Sequence, residues 1–247
     1  MPRPGILPAR ILAGWPHGFT TREGGVSRGP WKSLNLSTTV GDDAARVREN
    51  WARLRAATGL SFARVRQVHG CRVVEARDGT DPVEEADAVS TAEPGVAACV
   101  SVADCVPVLL ADPRSGAVAA VHAGWRGTID GAAAAGVRAL VERHGARPAD
   151  LLAAVGPGIG PCCFEVSRDL AERFRDEVGR TTATPRDHGS RVDLWRANEL
   201  LLRGAGLGRR QIETLARCTS CEERTFFSHR RDDGITGRQV AFISGVS

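Results

Sequence analysis

Two histidines and one cysteine are the residues in this chain best suited to hold a metal and still leave room for chemistry. They are His69 in Gln67-Val68-His69-Gly70, Cys105 in Asp104-Cys105-Val106-Pro107, and His122 in Val121-His122-Ala123-Gly124. One thiolate and two neutral imidazoles suit zinc, keep a net charge of about +1, and leave a fourth position open. The three lie too far apart in sequence for a compact zinc finger, so spacing alone says little. Their setting says more, because each abuts a glycine or a tight turn where backbone leaves room for a bound group. Cys105 has a rival role, since a thiolate beside an imidazole is an activated nucleophile. A thiolate committed to zinc is poorly available for attack, and the ligand role is the one we favour. Cys71, two residues beyond His69, is a substitute ligand of little weight.

The elements that position these side chains centre on residues 95–127. Two apolar, β-branched runs flank the turn signal Asp112-Pro113-Arg114-Ser115-Gly116, which predicts strands at 106–111 and 117–122, with another at 96–103 before them. The ends of the first two strands bring a thiol and an imidazole near each other. Upstream, residues 15–41 read as a short strand, a loop around Gly24-Gly25 and an extended piece through Leu34-Asn35-Leu36. Asp42-Asp43 opens a helix in which Val47, Trp51 and Leu54 repeat at helical spacing, and Gly59 closes it. Short strands at 63–68 and 72–76 follow, then the turn Asp78-Gly79-Thr80-Asp81-Pro82.

Beyond the central strands, Thr128 is the expected N-cap of a helix that runs to His144 and stops at Gly145. A buried run, Leu151 to Val155, leads into Gly156-Pro157-Gly158-Ile159-Gly160-Pro161. That loop lacks the lysine and Ser/Thr of a phosphate-cradling loop, so we read it as a rigid turn beneath the site. Helices near 167–178 and 195–204 flank an irregular stretch at 179–190, and strands near 211–216, 225–229 and 238–244 complete the chain. There is no clean linker or repeat. The expectation is one domain over residues 1–247, with mixed sheets covered by helices.

Composition narrows the function classes. A chain of 247 residues can bury a full core, and its net charge of +4 comes from scattered arginine rather than a basic run. That argues against nucleic acid and weakly for an anionic ligand. No apolar run approaches the roughly 20 residues of a membrane span, and the N-terminus has no signal-peptide core, so a cytoplasmic setting is expected. Seven cysteines is an odd number, which favours reduced thiols over a disulfide framework. Cys162-Cys163 read as free thiols. Cys218 and Cys221 have the spacing of a redox pair or half a zinc site, but without a second such pair we read them as structural or incidental. His17, His144, His188 and His229 read as turn or surface residues, with His144 a cation at a helix C-terminus.

Several long motifs carry a resemblance. H-G-F-T-T-R-E-G-G-V-S (17–27), S-L-N-L (33–36), Q-V-H-G (67–70), A-D-A-V (86–89), A-D-C-V-P-V-L-L (103–110), H-A-G-W-R-G-T (122–128), G-P-G-I-G-P-C-C-F-E-V (156–166) and F-F-S-H-R-R-D (226–232) occur in this order. Together they resemble the bacterial YfiH/YlmD family, described as laccase-domain or polyphenol-oxidase-like proteins and also as purine nucleoside enzymes. The resemblance implies an α+β fold in a four-layer α/β/β/α arrangement, shared with certain cysteine-hydrolase toxins. It also implies a metal at His69, Cys105 and His122.

The function it implies is phosphorolysis of adenosine, inosine or methylthioadenosine to base and ribose 1-phosphate, deamination of adenosine, or both. The partners are then a purine nucleoside and phosphate, with no nucleic acid or membrane, in a monomer or dimer. Polar residues placed by the motifs are candidates to face the substrate: Arg22 and Asn35 in glycine-rich loops, Gln67 on the face of His69 if the segment is a strand, and Arg126 close after His122. Arginine forks suit phosphate. The alternatives are a Cys105–His122 hydrolase acting on an amide or a peptidoglycan precursor, and a binding protein with no turnover. A true multicopper oxidase needs many more ligands than six histidines with no His-x-His pair supply. Copper in the zinc site would still give weak phenol oxidation.

Overall fold

The alanine- and valine-rich runs between residues 96 and 123 are apolar on both faces, so each must be covered on both sides. In the computed structural model, which describes residues 3–76, 84–185 and 189–246, they form the buried centre of two sheets. A six-stranded sheet has the order β13 (Ile212–Thr214), β9 (Leu152–Val155), β7 (Val106–Ala111), β8 (Val118–Ala123), β5 (Ala88–Thr91) and β4 (Val73–Glu75). A five-stranded sheet has the order β1 (Ile6–Leu7), β2 (His17–Thr20), β14 (Gln239–Ser244), β6 (Val96–Val102) and β3 (Ser61–Ala63). A small third sheet joins β10 (Glu165–Val166), β12 (Ser190–Val192) and β11 (Ala183–Pro185). Parallel and antiparallel pairs mix within the two large sheets.

Alternation along the strands decides what each face meets. Leu109, Ala120 and Val89 of the six-stranded sheet pack in one cluster with Ala98, Val100 and Ile243 of the five-stranded sheet. The neighbouring positions Val108, Leu110 and Val121 pack with Val137 and Leu140 of α3 (Ala132–His144) and with Leu194 and Leu202 of α5 (Leu194–Gly204). On the five-stranded sheet, Ala97, Cys99, Val240 and Phe242 pack with Val47, Trp51 and Leu54 of α1 (Ala44–Thr58). The result is the expected mixed α+β class. No helix is long and apolar enough to cross a membrane among the described residues.

Helix α1 begins where its sequence predicts. The Asp43 carboxylate accepts from the Ala45 N–H at 2.7 Å, and Gly59 closes the helix with a left-handed φ of 72°. Its inner face also fixes the glycine-rich loop before it. Buried Asn50 donates to Ser27 Oγ at 2.9 Å and to the Asn35 carbonyl at 2.8 Å, and accepts from the Val26 N–H at 2.8 Å. Asn50→Ala leaves those buried groups unpaired, so we expect a loss of about 3 kcal/mol. The urea midpoint should fall with an unchanged slope.

Elsewhere the structure corrects the sequence reading. Thr128 is not an N-cap: α2 (Trp125–Ile129) already contains it, and α3 starts after Gly131, whose φ is 82°. The buried Thr128 hydroxyl instead accepts from Asn198 Nδ2 at 3.2 Å. The helix expected near 167–178 is α4 (Arg168–Arg173), followed by a wider turn over Phe174–Val178. The stretch expected to be irregular at 179–190 holds β11, and β12 begins at Ser190. No strand forms at 225–229. Phe226 and Phe227 are buried while the chain turns, with the Phe226 N–H on the Glu222 carbonyl, so burial of aromatic rings imitated a strand signal. The strand expected over 63–68 ends at Ala63, which frees residues 64–67 and 69 to line the site. The turn at 78–82 and His188 lie outside the described residues.

Candidate functional site

The antiparallel pairing of β7 with β8 sets Pro107 opposite His122 and Val106 opposite Ala123. Cys105 therefore enters the sheet beside the strand that carries His122. It reaches that place through Asp104, a non-glycine residue at a φ of 90°, a conformation that the surroundings must enforce. They do so with hydrogen bonds: Asp104 accepts from Thr219 Oγ1 and from the Arg230 N–H, both at 2.6 Å, and its carbonyl accepts from the Ile159 N–H at 2.8 Å.

His69 comes from the loop after β3, also at a left-handed φ, 63°. A fully buried carboxylate organises that loop. Asp87, just ahead of β5, accepts from the backbone N–H groups of Val68, His69 and Gly70 at 3.2, 2.8 and 2.7 Å. The same carboxylate lies 2.8 Å from His122 Nδ1, which turns Nε2 towards the cavity and fixes the ring. The two imidazoles sit edge to face with centroids 5.0 Å apart.

The ligand atoms of His69, Cys105 and His122 lie within 4.8 Å of one another. Zinc bonds of about 2.0–2.3 Å to imidazole and thiolate match that spacing. Gly124 makes the space: a Cβ there would stand 3.0 Å from Cys105 Sγ and 3.2 Å from His69 Cδ2. Without a metal the electrostatics favour a Cys105 thiolate beside a charged His122, so zinc would bind a ready thiolate and displace one proton from His122. Burial pushes the Cys105 thiol up, but His122 and hydrogen bonds from His122 and His69 outweigh it and bring the thiol down to about 6. Burial likewise works against a charged His122, yet Cys105 and Asp87 raise it to about 9. Asp87 is held below the ordinary carboxylate range, with burial opposing and the hydrogen bonds from His122 and Gly70 prevailing.

These three residues face a cavity of about 740 Å³, a size suited to a small organic ligand. Its wall includes Gln67, Arg126, His229, Arg230 and Arg238. Arg126 is exposed, its guanidinium 4.3 Å over the Trp125 ring, with no ion-pair partner among the described residues. Arg238 hydrogen-bonds the Thr236 and Gly237 carbonyls, and burial lowers its pKa.

Gln67 does not share a strand face with His69. Its amide is bound to the backbone of Ser101, at 2.9 Å from Nε2 and 2.8 Å to Oε1. Arg22 and Asn35 are not in the cavity wall. Arg22 donates to the Lys32 and Glu223 carbonyls at 2.8 Å each and stacks on Phe227. Asn35, fully buried, donates to Asp42 and Ser37 and accepts from the Ser37 and Arg238 N–H groups. Both brace loops that contribute to the wall.

Sequence reasoning missed Asp87 as well as the last three cavity residues. The signal for Asp87 was a lone carboxylate entering an apolar run in A-D-A-V; His229 and Arg230 sat in a motif already noted for its resemblance. His17, expected at a turn or surface, lies half-buried in β2 and bridges the Ala9 N–H and the Trp15 carbonyl. Among the described residues no histidine joins His69 and His122 in a candidate metal group, so the cluster of a multicopper oxidase has no counterpart there.

Comparison with known proteins places this architecture. The family model described as "Multi-copper polyphenol oxidoreductase laccase" matches residues 16–245. The chain is 46% identical over 231 residues to a purine nucleoside phosphorylase of Deinococcus radiodurans, covering 92% of this chain and 88% of that protein. It is 40% identical to the purine nucleoside phosphorylase YlmD of Geobacillus stearothermophilus, over 94% of this chain and 90% of the relative. The crystal structure of the Bacillus licheniformis hypothetical protein YfiH superposes with a TM-score of 0.92 at 35% identity, covering 98% of this chain and 97% of that one. The family model, the relatives and the shared fold lead to one conclusion: the chain belongs to the laccase-like YfiH/YlmD family.

Proposed function

We propose that this chain is a zinc-dependent purine nucleoside phosphorylase, acting on adenosine, inosine or methylthioadenosine, and that the same cavity deaminates adenosine. The observation that carries this reading is a nucleoside-sized cavity with His69, Cys105 and His122 converging on it and, in its wall, Arg126, which has no ion-pair partner among the described residues. The names of the relatives support it. Zinc, when bound by the three residues, supplies a Lewis acid that polarises a substrate oxygen or activates water.

The chain's own residues do the rest. Asp87 holds His122 with Nδ1 occupied, so Nε2 is the nitrogen free to bind. Gln67, bound at both ends of its amide to Ser101, is a rigid wall rather than a flexible contact. Arg126 presents a fork that fits inorganic phosphate, and phosphate attacks the ribose C1′ as the base leaves with the bonding pair. Copper binds such a donor set more tightly than zinc, so copper-loaded protein is expected to show weak phenol oxidation. No disulfide joins the cysteines among the described residues, which suits a reducing, cytoplasmic setting.

The test is product analysis of zinc-loaded protein with and without phosphate. Ribose 1-phosphate should form only with phosphate present. Arg126→Ala should raise the phosphate KM by about tenfold or more, the scale of one charge-assisted contact, and leave the nucleoside KM nearly unchanged. Consumption of nucleoside that ignores phosphate altogether would remove phosphorolysis from the reading.

A further inference from the structure

A second group of metal-binding atoms lies outside the cavity. Cys162 and Cys163 occupy a tight turn, in which the N–H groups of Cys163 and Phe164 both reach the Gly160 carbonyl at 2.9 Å. Cys218 and Cys221 occupy another, closed by the Glu222 N–H on the Cys218 carbonyl at 3.0 Å. The four Sγ atoms lie within 4.8 Å of one another, with Cys221 at 3.5 Å from Cys162 and 3.4 Å from Cys163. The sequence hid this site because one pair has CxxC spacing and the other is adjacent. We propose that these four cysteines hold a second zinc ion, a closed structural centre that fixes the turn carrying Cys105.

Geometry selects the occupant. Four thiolates around one zinc at about 2.3 Å stand about 3.8 Å apart, close to the spacing seen. A disulfide needs about 2.05 Å between sulfurs and would leave two of the four thiols unexplained. An iron–sulfur cluster distributes its thiolates over different irons and so spreads them further. Burial does not explain the gathering either, since Cys162 and Cys221 are exposed.

The surroundings are built for a thiolate centre. The Gly160 N–H lies 3.2 Å from Cys218 Sγ, a donor placed for the negative charge this sulfur would carry on zinc. Zinc with four thiolates has a net charge of about −2, and three arginines are anchored on the carbonyls of the two turns. Arg191 reaches the Cys162 carbonyl, Arg230 the Cys163 carbonyl and Arg231 the Thr219 carbonyl. On binding, each thiol releases its proton to solvent as its Zn–S bond forms, and no electron is transferred.

The consequence reaches the cavity. Thr219, between the two cysteines of the second turn, donates to Asp104 at 2.6 Å, and Ile159, just before the first turn, donates to the Asp104 carbonyl at 2.8 Å. Clamping the two turns together therefore holds Asp104 in its left-handed conformation and Cys105 in place.

Zinc per chain, measured by mass spectrometry on full-length protein purified reduced and without chelator, tests this. Wild type should hold two zinc ions, and His122→Ala and Cys221→Ser one each. In His122→Ala, zinc-edge X-ray absorption should show four sulfurs at about 2.3 Å. Cys163→Ser is the second variant should Cys221→Ser fold poorly, and it should lose the same ion. One zinc in wild type, lost in His122→Ala and kept in both cysteine variants, would overturn the inference and leave the proposed function standing. One zinc kept in His122→Ala but lost in the cysteine variants would do the reverse. Iron at the four sulfurs, or disulfides between them in fresh protein, would also overturn it.

Discussion

Cys105→Ser should abolish nucleoside turnover and release the cavity zinc in a single step. The serine hydroxyl is nearly the same shape as the thiol but does not ionise near neutral pH, and a zinc ligand must be deprotonated. Cys105 is only half-buried, so the metal-free fold tolerates the smaller atom, and any fall in the unfolding midpoint of zinc-loaded protein should reflect the lost zinc. Losing a metal that polarises the reacting group removes several kcal/mol of transition-state stabilisation. A drop in kcat/KM of about a thousandfold, about 4 kcal/mol, is therefore expected. The zinc count should fall by one in the same preparation. The two readouts must move together. Activity lost with the full zinc count retained would mean that Cys105 serves as a nucleophile with His122 as its base. The substrates to try would then be amides, and the zinc reading of the cavity would fall.

What the sequence made legible follows from how local each signal was. The turn Asp112–Gly116 between two apolar runs allows one pairing that buries both, and the observed register of Val106 with Ala123 brings Cys105 to His122. Helix α1 was equally readable because its cap, its apolar stripe and its terminal glycine lie within one window. His69 is legible from the glycine that follows it and from the Q-V-H-G motif that carries the resemblance. Nothing local shows that Asp87 would gather the N–H groups of residues 68–70, since that loop has no regular structure of its own.

The errors share a cause. Arg22 and Asn35 were read as ligand-facing because polar residues in glycine-rich loops often are, yet both bind backbone groups distant in sequence. His229, Arg230 and Arg238 reach the cavity from the last strand's approach, a placement fixed only when β14 inserts between β2 and β6. Thr128 was misread because capping residues also serve inside short helices when a partner such as Asn198 is near. Long-range pairing, not composition, decides each of these.

Asp87→Asn tests the least visible residue of the site. One oxygen of Asp87 accepts from the His69 N–H and faces His122 Nδ1, and the other accepts from the Val68 and Gly70 N–H groups. An asparagine amide cannot replace both. If its NH₂ takes the second position, it opposes two backbone donors. If it takes the first, it opposes the His69 N–H and requires His122 Nδ1 to accept, which moves the imidazole proton to Nε2, the nitrogen zinc needs. Either orientation damages the site, so zinc affinity should fall about 10- to 100-fold, the usual effect of removing a carboxylate behind a ligating histidine. Metal-free protein should also lose about 3 kcal/mol at neutral pH, since a buried charge network is broken. The pH dependence identifies the cause. Asp87 is held below the ordinary carboxylate range in the fold, so its stabilisation is present above that range and lost as pH falls through the folded value. Denaturant curves of wild type and Asp87→Asn should therefore converge in acid and separate towards neutrality. A deficit that stays constant with pH would assign Asp87 a purely steric role.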